Sequence, residues 1–176
     1  RKCAGGNGPH YFQAAAGKPV LAESGRPSNL HFSASGSAAL GLVALREGVE
    51  VGVDVEALRP IPNVASLAAR LLLVDERIEF EGVPSADRER HFFEYWVRKE
   101  AVAKSLGTGL GEGLDRLRLS PWAEFGAFQI DVARDGAAIA QWVAPLSLPQ
   151  AGYVGAVASW KPFETRVDVR AWTAPP

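Results

Sequence analysis

Ser85-Ala86-Asp87-Arg88-Glu89-Arg90-His91-Phe92-Phe93-Glu94-Tyr95-Trp96-Val97-Arg98-Lys99-Glu100-Ala101-Val102-Ala103-Lys104-Ser105-Leu106-Gly107 reads as one long helix, the element from which the rest of the chain can be placed. Ser85 offers an N-cap, Asp87 and Glu89 put acids in the first turn where the helix dipole favours them, and Gly107 offers a left-handed stop. Roughly 22 residues in that frame make a rod of about 33 Å. At about 100° per residue, Phe92, Tyr95, Trp96, Val102, Ala103 and Leu106 fall within an arc of about 120°, so this face seeks a core. Lys99 sits near the middle of the arc. An ammonium among such neighbours either snorkels to water or meets an anion, and the second reading puts a carboxylate or a phosphate beside this helix. Just past the edge of the arc, Glu100 and Lys104 lie one turn apart and point the same way. They read either as an i,i+4 ion pair on a solvated face or as a pair of working groups.

Working outward, short helices are expected near Val64 to Leu72 and Asp75 to Phe80. Glu50 to Glu56 has the β-branched alternation of a strand, with Val51, Val53 and Val55 on one face and Asp54 and Glu56 on the other. Adjacent carboxylates repel. A hard divalent cation such as Mg²⁺ resolves that repulsion, completing its shell with water and substrate phosphate; the alternative is the polar face of a half-exposed strand. Leu30 to Ser33 reads as a strand, Ser35-Gly36-Ser37 as a turn, and Ala38 to Leu45 as an apolar strand. The simplest link to the next strand is a hairpin turning at Glu47-Gly48. Residues 1 to 29 carry loop chemistry with one short strand at Val20-Leu21. Downstream, segments near Leu114 to Leu119, Phe128 to Ala133, Ile139 to Val143, Tyr153 to Ser159 and Arg166 to Trp172 alternate like strands of an antiparallel sheet.

Composition bounds the functions. At 176 residues with 47% apolar and 22% charged residues, the chain can bury a core as one domain or as two small lobes. A net charge of −1 leaves no global field for nucleic acid or an anionic membrane, so any anion must be met locally. Cys3 alone excludes a disulfide framework and a multi-Cys zinc site, His10, His31 and His91 have no ligand spacing, and a reducing, cytoplasmic setting is expected. Pro27 to Leu45 and Gly136 to Trp160 lack formal charge, but polar residues break the first and Pro145 and Pro149 the second, so neither reads as a membrane span. The chain starts at Arg1 and has no methionine, as a trimmed or partial version of an encoded protein would.

Arginines outnumber lysines 14 to 5, yet Lys18, Lys99 and Lys104 all fall in segments singled out for other reasons. Lysine is the compact charge that reaches a phosphate or exchanges a proton. The glycines at 107, 109, 111 and 113 follow a helix instead of opening one, so they read as a C-cap and loop and not as a phosphate cradle. Ser33, Ser35 and Ser37 sit in no G-x-S-x-G frame and read as hydrogen-bonding turn serines.

Gly17-Lys18-Pro19, Leu30-His31-Phe32-Ser33-Ala34-Ser35-Gly36, Gly52-Val53-Asp54-Val55-Glu56 and the block from Trp96 to Leu110, W-x-x-K-E-A-x-x-K-x-x-G-x-G-L, stand in an order that resembles the 4′-phosphopantetheinyl transferases of the two-lobed, monomeric class. The likeness runs from about residue 17 to 110, and its last block is the most specific part. It implies an α+β fold of two pseudo-symmetric lobes, each an antiparallel sheet packed with helices, with the active site in the cleft between them. A shortened first lobe would occupy residues 1–48 and the second residues 49–176.

The activity implied is transfer of the 4′-phosphopantetheine arm of coenzyme A to a serine of an apo acyl, peptidyl or other carrier protein, with Mg²⁺, releasing 3′,5′-ADP. On matching positions, Asp54, Glu56 and Glu100 would hold the metal, and Glu100 would also take the serine proton. Lys104 would meet the phosphates, Lys18 the nucleotide end, and Ser33 a coenzyme A phosphate, with Ala34 and Lys99 in the same coenzyme A-binding segments. Two departures stand out: Ala34 replaces the histidine of the usual S-H-S-G, and only 16 residues precede Gly17. A noncatalytic scaffold that binds coenzyme A or a carrier protein is the alternative in another class. A Mg²⁺-dependent phosphohydrolase acting on a nucleotide is a third reading.

Overall fold

The computed structural model describes residues 10–13, 18–23, 26–107, 117–119, 128–134 and 137–163. The chain opens with β1 (His10–Gln13), β2 (Pro19–Glu23) and β3 (Arg26–Pro27), which form a small antiparallel sheet in that order. Two longer strands, β4 (Leu30–Ser37) and β5 (Leu40–Glu47), make a second antiparallel sheet, and β6 (Val51–Ala57) follows. Then come α1 (Val64–Leu71), α2 (Val74–Gly82), a 3₁₀ turn at Ser85–Asp87 and α3 (Arg88–Leu106), and finally β7 (Phe128–Arg134), β8 (Ala137–Pro145) and β9 (Tyr153–Ser159). The third sheet is antiparallel with order β6-β9-β8-β7. The architecture is α+β, and among the described residues every helix lies after β6. The expected strand at Arg166 to Trp172 and the glycines at 109, 111 and 113 lie outside the described residues, as does the first half of Leu114 to Leu119.

The hairpin is not the one the local pattern suggests. Ser35-Gly36-Ser37 is strand, the turn is Ala38-Ala39 with Ala38 at a left-handed φ of 51°, and β5 pairs with β4 from Leu30↔Glu47 to Ser37↔Leu40. Gly48 does turn the chain, at φ 68°, but it delivers β6 to β9, with Val51 opposite Ser159 and Ala57 opposite Tyr153. An apolar strand one hundred residues downstream competes for β6, and local alternation carries no trace of that partner.

Helix α3 begins at Arg88 with Asp87 at its N-cap position, two residues later than the cap reading, because Ser85 opens the 3₁₀ turn behind Pro84. Its end is as expected, with Gly107 at φ 73° donating its N–H to the carbonyls of Ala103 and Lys104. Its buried face is wider than the predicted arc: Phe93, Val97 and Ala101 are buried alongside Phe92, Tyr95, Val102, Ala103 and Leu106, while Trp96 is only partly so. The sheet covers one side through Val143, Val154, Ala156 and Ala158, and Ala68, Leu71 and Phe80 of α1 and α2 cover another.

Lys99 meets its anion inside this core. Its Nζ lies 2.7 Å from Glu76 Oε2 and also donates to the carbonyls of Leu71 (3.2 Å) and Leu117 (2.7 Å), with both side chains fully buried. Glu76 in turn accepts the N–H groups of Leu73 (2.9 Å) and Leu119 (2.6 Å). One ion pair therefore ties the end of α1, the start of α2, residues 117–119 and α3 together. A buried pair tolerates its desolvation only when its remaining hydrogen-bonding capacity is filled, as here.

Candidate active site

The site begins with a missing side chain. A Cβ on Gly52 would run into the Ala101 carbonyl and stand 2.5 Å from the Ser105 N, so only glycine lets β6 lie this close to α3. That approach carries Glu100 and Lys104 onto the strand that bears Asp54 and Glu56. Lys104 Nζ donates to Asp54 Oδ1 at 2.7 Å and to the Val53 carbonyl at 3.1 Å. Its partner is thus Asp54 and not Glu100, and Glu100 is only 2% exposed, which removes the reading of a solvated i,i+4 pair.

From the other side β4 closes the edge of β6 with a row of hydroxyls. Ser33, Ser35 and Ser37 accept the N–H groups of Val53 (3.1 Å), Val55 (3.4 Å) and Ala57 (3.0 Å). Ser35 also donates to Asp54 Oδ1 at 2.6 Å, and Ser37 donates to Glu56 Oε2 at 2.7 Å. Lys18 donates to the Val51 carbonyl at 3.1 Å and is ion-paired with Glu50, whose other oxygen lies 3.0 Å from His31 Nδ1. This edge of β6 is therefore covered by side chains, N–H groups by serines and carbonyls by Lys18 and Lys104, where another sheet would place a strand.

The electrostatics follow from burial. Removal from water is the largest influence on Asp54, raising its pKa, while the Lys104 and Ser35 hydrogen bonds pull it down and the Glu56 charge pushes it up. Glu100 is pushed up to about 7, first by burial and then by the Asp54 charge, with Lys104 lowering it and Glu56 raising it. The Oδ2 of Asp54 and the Oε2 of Glu100 are buried with no hydrogen-bond partner. Orphaned carboxylate oxygens suit a hard divalent cation. Among the described residues, however, no three His, Cys, Asp or Glu side chains are already gathered as a metal cage.

Of the expected site residues, Asp54, Glu56, Glu100, Lys104 and Ser33 meet at this junction of β4, β6 and α3, and Lys18 lies at its β6 start. Lys18 also lines a cavity of about 250 Å³ with Pro19, Leu21, His31, Phe32 and Glu50. Ala34 is exposed, on the face of β4 away from the serine row. Lys99 is a correction: all three ammonium donors face groups of this chain in a fully buried core, which leaves none for coenzyme A. Sequence reasoning placed Gly52, Ser35 and Ser37 only as motif or turn residues and missed their roles. The signal was present in the period-2 spacing shared by Ser35 and Ser37 and by Asp54 and Glu56. Arg59, which donates to Glu56 Oε2 at 2.9 Å and stacks 4.8 Å over Phe93, carried no such signal.

Residues 50–158 match the family model described as the 4′-phosphopantetheinyl transferase superfamily. The chain belongs to that superfamily. It is 36% identical over 96 residues to the 4′-phosphopantetheinyl transferase HetI of Nostoc sp. strain PCC 7120, a match covering 54% of this chain and 40% of the relative. To the 4′-phosphopantetheinyl transferase AcpT of Salmonella typhimurium it is 34% identical over 99 residues, covering 56% and 50%. To the holo-[acyl-carrier-protein] synthase of Shewanella amazonensis it is 42% identical over 62 residues, covering 35% and 48%. The chain thus spans half or less of the length of these relatives.

Proposed function

We propose that this chain carries a phosphopantetheinyl transfer site, moving the 4′-phosphopantetheine arm of coenzyme A to a serine of an apo carrier protein and releasing 3′,5′-ADP. The observation that carries the proposal is the gathering of Glu100, a buried carboxylate with an unpartnered oxygen, with Asp54, Glu56 and Lys104 at one junction. A carboxylate oxygen held there can accept the proton of an incoming serine hydroxyl, directly or through water. Asp54, Glu56 and Glu100 would hold Mg²⁺. That ion, when bound, supplies charge neutralisation at the pyrophosphate.

The chain's own groups do the positioning. An ammonium has three donors, and Lys104 uses two on Asp54 and Val53, which leaves one for a phosphate oxygen. Lys18 likewise has a donor left for the nucleotide end. Ser33 accepts the Val53 N–H and still has its own proton for a phosphate. Phosphoryl transfer asks for little covalent help, so fixed cations and a base on rigid elements suffice.

In this reading the two-lobe division falls between residues 1–48 and 49–176, with the site at the seam where the β4–β5 sheet meets β6. On this reading the protein works as a cytoplasmic monomer; among the described residues no helix is long and apolar enough to cross a membrane. A second reading, a noncatalytic binder of coenzyme A or of a carrier protein, draws on Ala34, which supplies no imidazole at the position after Ser33. The deciding assay is release of 3′,5′-ADP from coenzyme A on addition of an apo carrier protein and Mg²⁺. Release in proportion to the carrier supports transfer, and none with any carrier supports the binder.

A further inference from the structure

The hydroxyl row on β4 does more than close an edge. A serine oxygen has one proton and two lone pairs. At Ser35 the Val55 N–H takes a lone pair at 3.4 Å, and the proton goes to Asp54 Oδ1 at 2.6 Å. The unit repeats two residues on, where Ser37 accepts from Ala57 at 3.0 Å and donates to Glu56 Oε2 at 2.7 Å. At Ser33 the amide bond to Val53 is present at 3.1 Å, but the β6 residue before it is Gly52, which has no carboxylate. The amide bonds alone would be satisfied at all three rungs in the same way. The two rungs that face acids add a short, charge-assisted bond to one oxygen of each acid.

Both bonds select the same kind of outcome. Asp54 Oδ1 receives Ser35 and Lys104, leaving Oδ2 buried and unpartnered. Glu56 Oε2 receives Ser37 and Arg59, so that its donors gather on one oxygen and leave Oε1 for another ligand. We propose that Ser35 and Ser37 are positioning residues that lock the Asp54 and Glu56 carboxylates with one oxygen each turned out for a divalent cation. This rests on the reading of Asp54 and Glu56 as metal ligands. Partners that orient metal ligands typically govern about 10- to 100-fold in metal affinity.

The test is titration of Mn²⁺ alone into the full chain, bound ion read by water-proton relaxation, for the unaltered protein, Asp54→Ala, Ser35→Ala, Ser37→Ala, Ser35→Thr and Ser37→Thr. Thermal melting of Ser33→Ala, which removes an amide acceptor without touching an acid, gives the stability loss due to the amide bond alone. The expected result is Mn²⁺ binding that Asp54→Ala abolishes, that each serine-to-alanine change weakens about 10- to 100-fold in protein that still melts cooperatively, and that threonine restores. If Ser35→Ala does not fold, Ser37→Ala at the more open end of the row decides. Mn²⁺ binding that needs Asp54 but ignores both serines overturns the positioning role and spares the metal site. Mn²⁺ bound equally well by Asp54→Ala and the unaltered chain, or by neither, overturns the metal reading and this inference with it.

Discussion

Lys104 Nζ lies 2.7 Å from Asp54 Oδ1 across fifty residues of sequence, joining the last turn of α3 to the middle of β6. Two of its donors are fixed there, which holds the third in a defined direction. Lys104→Ala should lower turnover by about 100-fold or more at saturating coenzyme A and Mg²⁺, as loss of a group that stabilises transition-state charge does. Lys104→Arg should not restore it, because a planar fork cannot reproduce the contacts of a point charge with both Asp54 and Val53. Single-turnover rates of the two variants check this, and near-normal rates in both would assign Lys104 a purely structural role.

Gly52 predicts the steepest loss from the smallest change. Adding one methyl group sets it against the backbone of Ala101 and Ser105, which cannot move aside as a side-chain tip can. Gly52→Ala should cost at least about 3 kcal/mol, the upper end of ordinary overpacking, and detach α3 from β6. Urea denaturation measures it, and a change below about 1 kcal/mol would mean the two elements are not seated as described.

Glu100 gives a pH dependence with a definite sign. Its folded pKa of about 7 lies above the ordinary 4.5, so the fold favours the protonated form. The contribution is fully present below about pH 4.5 and is lost as pH rises through about 7. Without divalent cations, the stability of the unaltered chain relative to Glu100→Gln should therefore fall by about 3 kcal/mol between those limits. Parallel stability curves for the two proteins would contradict it.

Ala34 is exposed, so Ala34→His meets no packing constraint and should fold as well as the unaltered chain. An imidazole here starts on the face opposite Ser33, so it gains the roughly 1.5 to 3 kcal/mol of a charge-assisted hydrogen bond, about 10- to 100-fold in affinity, only where a coenzyme A phosphate reaches across the strand. Calorimetry decides, and unchanged affinity would mean that coenzyme A stays on the serine face.

What the sequence made legible was what is local. The period of α3, its glycine stop, the alternation of β6 and the shared direction of Asp54 and Glu56 all follow from neighbours within a few residues. The pairing of β6 with β9, the seating of Gly52 on Ala101 and the burial of Glu100 depend on elements far along the chain. Lys99 shows the boundary well: its helical position leaves snorkelling and an anion both open, and only the folded chain supplies Glu76 as that anion and excludes a ligand. Ser35 and Ser37 were misread for a related reason. Ser-Gly-Ser is turn chemistry until the facing strand makes acceptors of its hydroxyl oxygens.

If the junction of β4, β6 and α3 transfers phosphopantetheine, a carrier protein must leave the reaction heavier. Intact-protein mass spectrometry of a panel of apo carrier proteins, incubated with this chain, coenzyme A and Mg²⁺, tests it most directly. At least one carrier should gain the mass of a phosphopantetheine group, and Glu100→Gln should leave the same carrier unmodified. Carriers or coenzyme A bound by the chain, with no mass gained by any carrier, would contradict it and identify a noncatalytic binder.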